Sequence, residues 1–400
     1  MPLGRAFWAY WSAAALANLG DGIRMAAFPL LAAQLSDDPL VVGAVGAAAA
    51  LPWLLTGLLA GSLADRFGAR HILPLTDTAR VVVLAGLVLL LVTGRAGIAV
   101  VLVAAFLLGV AETLRDTAAA TVLPRLVAAE QIERAGGRLN AGGLIGNEFV
   151  GPVAGGLLFG AGAALPFAAS GVATAFAVLL VLSLPAPVLR LLGAVLPADR
   201  TTGGGIRDGL GWLGRQPVLR ALVLVVALIA LADSAWFAVL VLYAKARLGL
   251  GPTGYGLLLA LGAGGGLTGA LLADRLVAGR RHRAAIGWSA ALTAGPPGLL
   301  LLPPRLWVAA VVVVATSAAF GVLNVAASGL RYRLVPGELL GRVSAAGSTS
   351  AFAAAGVGAL AGGAVASARG LAAPFVLSLV LGGLATALWF AATRPGPRTA

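Results

Sequence analysis

The sequence contains no cysteine, only two histidines and few charged residues, and these scarcities exclude several classes of function. Without cysteine there is no disulfide framework and no thiolate metal site. His71 and His282 lie beside arginines in predicted loops and lack the spacing of metal ligands, so we expect no metal site. Charged residues make up 11% of the chain, whereas a soluble domain carries about 25%. The composition therefore excludes a water-soluble globular protein.

Hydrophobic residues are abundant instead, and they form long runs. They make up 60% of the 400 residues, and at about 20 apolar residues per membrane helix the chain has room for about twelve helices. Asp21 and Arg24 interrupt the first run, which we therefore interpret as a retained span rather than a cleaved secretory signal. The predicted spans are residues 6–35, 41–64, 71–93, 98–124, 139–160, 164–184, 218–246, 253–277, 284–302, 306–331, 341–367 and 371–392. The sequence thus predicts an all-α integral membrane protein.

The basic residues are distributed unevenly between the predicted loops. Of the 28 lysines and arginines, 20 lie in the loops and ends of one side and 5 on the other side. Because positively charged loops stay in the cytoplasm, both termini and the central loop are predicted to be cytoplasmic. The net charge of +13 is then balanced by anionic lipid headgroups, and we expect no nucleic-acid partner. A bacterial inner membrane fits this pattern.

Several landmarks recur at an interval of about half the chain. An Asp-Arg pair follows an apolar run at Asp65 and again at Asp274, 209 positions later, and Asp21 and Asp233 are 212 positions apart. Duplicated membrane units of this kind are typical of transporters built from two halves. The predicted domains are an N-terminal six-helix bundle at 1–185, a cytoplasmic linker at 186–217 and a C-terminal six-helix bundle at 218–400.

The linker is rich in proline, glycine and arginine, but part of it has helical periodicity. Ile206, Leu210 and Leu213 recur at helical spacing beside charged residues. This pattern predicts a short amphipathic helix on the inner membrane face. The helix is either a strap that joins two moving halves or a plain linker whose Trp212 sits at the interface.

Charged residues inside predicted spans are the candidates for chemistry, because each costs free energy unless it has a partner, water or a function. The candidates are Asp21, Arg24, Glu112, Arg115, Asp116, Glu148 and Asp233. Asp21 and Arg24 share one helix face and form either a self-neutralising ion pair or part of a central cavity. Glu112, Arg115 and Asp116 form a charged stripe, which either packs against a neighbouring helix or faces the cavity as a latch or proton relay.

Asp233 and Glu148 have no cation close to them in sequence. Desolvation favours the neutral form of such a carboxyl group, which suits a proton carrier. Asp233 is alternatively a site for a cationic substrate. Asp21 is the third and weaker candidate for proton coupling, because Arg24 stabilises its charged form.

Two motifs resemble signatures of the major facilitator superfamily. Residues 61–70 (GSLADRFGAR) resemble its cytoplasmic loop, and residues 151–156 (GPVAGG) resemble the fifth-helix motif of its exporter branch. The residues that carry these likenesses are Gly61, Asp65, Arg66, Gly68, Arg70, with Asp274 and Arg275 in the second copy, and Gly151, Pro152, Gly155 and Gly156. The chain departs from the family pattern at Ala69, at Asn147 and after Arg275, where a glycine is missing. Segments such as 18–22 (NLGDG) and 335–343 (VPGELLGRV) look like bacterial exporters related to those of macrolides and enterobactin.

The resemblance implies two parallel six-helix bundles, alternating access and proton antiport. In this interpretation Asp65 and its neighbours gate the cytoplasmic side, with Asp65 facing a helix that starts near Gly341, and the Gly-Pro motif bends its helix. The predicted function is a monomeric secondary exporter of small amphipathic or lipophilic compounds, without a cofactor. The alternative is a facilitator or proton-coupled importer of a polar nutrient. No nucleophile, paired-carboxylate or phosphate-loop motif supports an enzyme.

Overall fold

A computed structural model describes residues 3–193, 206–277 and 282–394, and this part of the chain is helical, with no strand. Glycine and proline residues mark many of the helix ends. The α-helices are α1 Arg5–Leu35, α2 Pro39–Phe67, α3 Ala69–Val92, α4 Ile98–Ala119, α5 Leu123–Leu126, α6 Ile132–Leu144, α7 Gly151–Ala161, α8 Leu165–Leu182, α9 Ala186–Gly193, α10 Ile206–Arg215, α11 Pro217–Leu248, α12 Pro252–Val277, α13 His282–Ala294, α14 Leu306–Leu334, α15 Gly337–Arg369 and α16 Ala373–Ala392.

Within the described residues, 11 helical stretches are long and apolar enough to cross a membrane. Helix α1 has 31 residues but is not among them. Its polar content includes Asp21 and Arg24, whose side chains are largely withdrawn into the protein. Counting α1 gives the twelve spans that the sequence predicts.

Two predicted spans are not uniform α-helices. The span predicted at 139–160 consists of α6, a π-helical segment at Ile145–Val150 and α7. The span predicted at 284–302 ends in a 3₁₀ helix at Pro296–Leu301. Both interruptions adjoin proline, which lacks the N–H group that an α-helix needs.

Two compact units can be distinguished. Unit 1 comprises Met1–Asp37, Ala48–Arg200 and Leu250–Ala260. In it α1 packs against α7 and α8, and α3 packs against α4 and α8. A T-shaped contact of Phe28 with Phe167, at 5.1 Å between ring centroids, joins α1 to α8. Small residues allow the closest approaches, since a β-carbon at Gly20 would lie 3.1 Å from Ser170 Oγ.

Unit 2 comprises Asp38–Ala47, Thr201–Gly249 and Leu261–Ala400. Helix α11 packs against α15 and α16, and α13 packs against α14 and α16. Gly358 and Gly362 of α15 lie so close to the backbone of α11 that a β-carbon at either position would overlap it. Such close backbone contact is how small residues hold membrane helices together.

The amphipathic helix predicted in the linker is present as α10. Leu213 is buried and Trp212 packs against the same apolar cluster, which includes Leu219 and Val335. The side chains of 206–210 lie outside the described residues, and the role of α10 as a strap stays a prediction, as do the domain boundaries at 185 and 218.

Candidate functional site

Charged side chains of α1, α3 and α4 meet inside unit 1. We call Asp21, Arg24, Asp77, Arg80, Glu112, Arg115 and Asp116 the charge cluster. Asp77 accepts hydrogen bonds from two arginines, from Arg80 Nη1 at its Oδ1 atom over 3.0 Å and from Arg115 Nε at its Oδ2 atom over 3.3 Å. Arg115 Nε also lies 3.0 Å from Oδ1. Asp21 pairs with Arg24 on its own helix and with Arg80 of α3. The network therefore ties three helices together.

The cluster has a buried centre and a more exposed edge. The side chains of Arg80 and Asp77 are 0% and 2% exposed, whereas those of Glu112 and Asp116 are 34% and 44% exposed. The edge contacts are also longer, at 3.5 Å from Arg24 to Glu112 and 3.3 Å from Arg115 to Asp116. Buried ions persist only when they are paired and hydrogen-bonded. At the centre Arg80 and Asp77 pair with each other, and only the Nε atom of Arg80 lacks a hydrogen-bond partner among the described residues.

The sequence interpretation found five of these residues and missed Asp77 and Arg80 as site residues. It separated Asp21 and Arg24 from the stripe on α4, whereas Arg24 contacts Glu112. The sequence did contain a signal for them. Asp77 and Arg80 lie three residues apart within an apolar run, which places both side chains on one helix face.

A cavity of about 460 Å³ adjoins the cluster within unit 1, and we call it the unit-1 cavity. Polar and apolar residues both line its wall. The polar residues that line it are Tyr10, Asn18, Arg115, Asp116, Asn140, Asn147 and Glu148. Two carboxyl groups thus face this space together with one guanidinium, which also pairs with Asp77.

Glu148 enters this cavity from the π-helical segment Ile145–Val150. Asn147 Nδ2 donates to its Oε1 atom over 3.4 Å, and none of the ion pairs among the described residues includes Glu148. Single π turns inside α-helices are frequent at functional sites. Glu148 is therefore a half-buried carboxyl group held beside, but outside, the charge cluster.

The Gly-Pro motif follows directly after the π-helical segment. Pro152 stands at the start of α7, and a β-carbon at Gly151 would overlap Gly22 of α1. Gly155 is equally close to the backbone of Ile23, and Gly156 to that of Pro252 in α12. The glycines thus let α7 contact α1 and the first turn of α12 within unit 1. That the motif bends its helix stays a prediction.

Unit 2 contains a cavity of about 390 Å³, which we call the unit-2 cavity. Its wall is mainly apolar and includes Phe320 and Phe352, with Asp233, Asn324 and Arg331 among its polar groups. Asp233 Oδ1 accepts a hydrogen bond from Trp236 Nε1 over 3.1 Å. The sequence-predicted acid of the second half therefore lines a cavity.

The two Asp-Arg loops are only partly described. Gly68 has a φ of +69°, a conformation that favours glycine, and it lets α3 begin directly after α2. Arg66, Arg70 and Arg275 are exposed. The side chains of Asp65 and Asp274 lie outside the described residues. Helix α15 begins at Gly337 rather than near Gly341.

Across the described residues, no group of His, Asp and Glu is placed to hold a metal ion. The four carboxylates of the charge cluster pair with its three arginines.

Comparison with known proteins assigns these features to a family. The model of the Major Facilitator Superfamily matches residues 10–346. The chain is 32% identical over 384 residues to the multidrug efflux pump Tap of Mycobacterium tuberculosis (strain H37Rv), covering 90% of this chain and 87% of Tap. Tap of Mycobacterium bovis (strain BCG / Pasteur) matches with the same identity and coverage.

Solved structures show the same fold at low identity. A bacterial homologue of the iron transporter ferroportin, in its inward-facing state, has a TM-score of 0.72 at 17% identity and covers 99% of this chain and 100% of its own. A bacterial homologue of the human lysosomal transporter Spinster has a TM-score of 0.75 at 15% identity, and the match covers 97% of this chain and 96% of the homologue. The predicted all-α fold with twelve membrane helices is confirmed.

Proposed function

The chain belongs to the major facilitator superfamily and is a multi-pass membrane transporter, and we propose that it exports small amphipathic or lipophilic compounds by proton antiport. It would act as a monomer in a bacterial inner membrane, by alternating access and without a cofactor. The observation that carries the substrate class is the mainly apolar wall of the unit-2 cavity, which includes the aromatic rings of Phe320 and Phe352. Ligand sites for such compounds have this composition. The likeness to a multidrug efflux pump supports the direction of transport.

The proton would be carried by Asp233 or Glu148. Each lines a cavity, and no ion pair among the described residues includes either one. Holding an unpaired carboxylate away from water costs free energy, and binding a proton removes that cost. Asp21 is a weaker candidate, because two arginines contact it.

The test is transport in proteoliposomes with an imposed pH gradient, screened over lipophilic cations, macrolides and siderophores. Replacing the true carrier, by Asp233→Asn or Glu148→Gln, should abolish gradient-driven accumulation while the protein stays folded. Glu130→Gln is the matched control, because Glu130 is exposed and outside both cavities. Undiminished gradient-driven transport by both variants would show that the proton is carried elsewhere or is not coupled.

One observation favours the alternative of a polar-nutrient importer or facilitator. Three asparagines, Asn18, Asn140 and Asn147, line the unit-1 cavity, and side-chain amides suit hydrogen bonding to polar substrates. The same proteoliposomes separate the two functions, because uptake of sugars or nucleosides without export of lipophilic compounds would favour the importer.

A further inference from the structure

The unit-2 cavity contains two opposite charges that do not neutralise each other. Asp233 of α11 and Arg331 of α14 both line it. Among the described residues, no nitrogen–oxygen distance of 4.0 Å or less joins either one to an oppositely charged group. This differs from unit 1, where every arginine of the charge cluster has a carboxylate partner.

Both charged groups are held in place but retain free hydrogen-bonding capacity. Asp233 accepts from Trp236 of its own helix over 3.1 Å, and Arg331 Nη2 donates to Ser328 Oγ over 3.1 Å. A carboxylate offers about four acceptor positions and a guanidinium five donors. Most of these positions therefore remain available to a ligand.

We propose that the unit-2 cavity recognises zwitterionic amphiphiles, with the ligand's amine at Asp233, its acidic group at Arg331 and its apolar body against Phe320 and Phe352. This rests on the proposed export function and narrows its substrate class. A purely cationic ligand leaves the guanidinium without a partner, and a purely anionic ligand leaves the carboxylate without one. Each unpaired charge in a desolvated site reduces affinity.

The cavity has a suitable size and composition for such a ligand. Its volume of about 390 Å³ lies within the range of about 300–1,000 Å³ for drug-sized sites. The proposal assigns Asp233 to the substrate and leaves Glu148 as the proton carrier.

The test uses three probes that share one aromatic body. Norfloxacin carries an amine and a carboxylate, its methyl ester keeps only the cation, and its N-acetyl derivative keeps only the anion. Their binding to the purified full-length protein is measured at neutral pH. We expect norfloxacin to bind at least about tenfold tighter than either derivative, since about 1.4 kcal/mol corresponds to tenfold.

Single substitutions should remove this discrimination selectively. The Asp233→Asn variant should bind norfloxacin and its N-acetyl derivative with equal affinity. The Arg331→Gln variant should bind norfloxacin and its methyl ester with equal affinity. Asp233→Glu and Arg331→Lys should restore part of the preference, which a general loss of folding would not allow. Arg333→Gln is the control, because Arg333 is exposed on the same helix and does not line the cavity.

Several results would overturn the inference. Equal or absent binding of the three probes to the unsubstituted protein would do so, as would an equal loss of all three affinities in both variants. If Asp233→Asn abolishes gradient-driven export without changing the order of affinities, Asp233 carries the proton instead. Export of all three probes at equal rates would refute zwitterion recognition but leave the proposed export function intact. Absence of any export would refute the proposed export function.

Discussion

At the residue scale, Asp77 is the carboxylate on which the charge cluster depends. It is almost fully buried and contacts both Arg80 and Arg115. Among the residues that the structure describes, neutralising it would leave Arg115 with one carboxylate partner, the half-exposed Asp116 at a longer distance. Removing one partner of a buried ion pair is strongly destabilising, because the remaining charge stays desolvated.

We therefore predict that Asp77→Asn lowers the stability of the protein by about 3–5 kcal/mol. Thermal unfolding in detergent, followed by tryptophan fluorescence, measures the change. Glu112→Gln is the matched control, because its contact with Arg24 is long and its side chain is 34% exposed. Equal melting temperatures of Asp77→Asn and Glu112→Gln would contradict the central place given to Asp77.

The same residues show what the sequence could and could not reveal about the site. Asp21, Arg24 and Arg115 stood out because each interrupts an apolar run. The partners of Asp21 and Arg115 on α3 could not be assigned, because pairing between helices depends on contacts between residues that lie far apart in sequence. The contact of Arg80 with Asp21 joins positions 59 residues apart. The unit-2 cavity was missed for the same reason, because Arg331 lies at the very end of the predicted span 306–331 and was not among the candidate residues.

At the element scale, the approach of α1 to the π-helical segment sets the shape of the unit-1 cavity. Gly22 is buried and faces the backbone of Asn147, beside the cavity-lining Glu148. Apolar periodicity predicted the helices and most of their ends, but not this π turn. Hydropathy could not reveal the π turn, because the local winding of a helix leaves the apolar run itself unchanged.

We predict that Gly22→Ala destabilises the protein by about 1–3 kcal/mol, because the new β-carbon overlaps the Asn147 backbone and forces the helices apart. The control is Gly86→Ala on α3, where a β-carbon has no neighbour within 4 Å. Melting temperatures of the two variants measure the difference. A Gly22→Ala protein as stable as Gly86→Ala would mean that α1 and the π-helical segment are not in contact.

At the scale of the whole molecule, the charge asymmetry of the loops predicts that both termini are cytoplasmic. The absence of cysteine makes this directly measurable, because a single introduced cysteine gives the only thiol signal. A membrane-impermeant reagent added to intact cells should label Asp37→Cys and Arg95→Cys but not Arg5→Cys or Arg281→Cys. Labelling at position 5 or 281 without labelling at position 37 would show that the predicted orientation is wrong.

The duplication of the Asp-Arg loop leads to the last prediction, which concerns how the molecule changes state. Asp65 follows the second span on the predicted cytoplasmic side, and flanking glycines and a second copy at Asp274 distinguish it from a simple topogenic charge. A contact that closes one side of a transporter must break when that side opens, so it belongs to one conformational state. We expect Asp65→Ala to impair transport while insertion and thermal stability stay close to normal. Glu133→Ala, an exposed acid of α6, is the control and should transport normally. Removing a gate that stabilises one state must alter the balance between the two states. If Asp65→Ala transports at the rate of this control, Asp65 is therefore not a gate and serves only to orient the chain in the membrane.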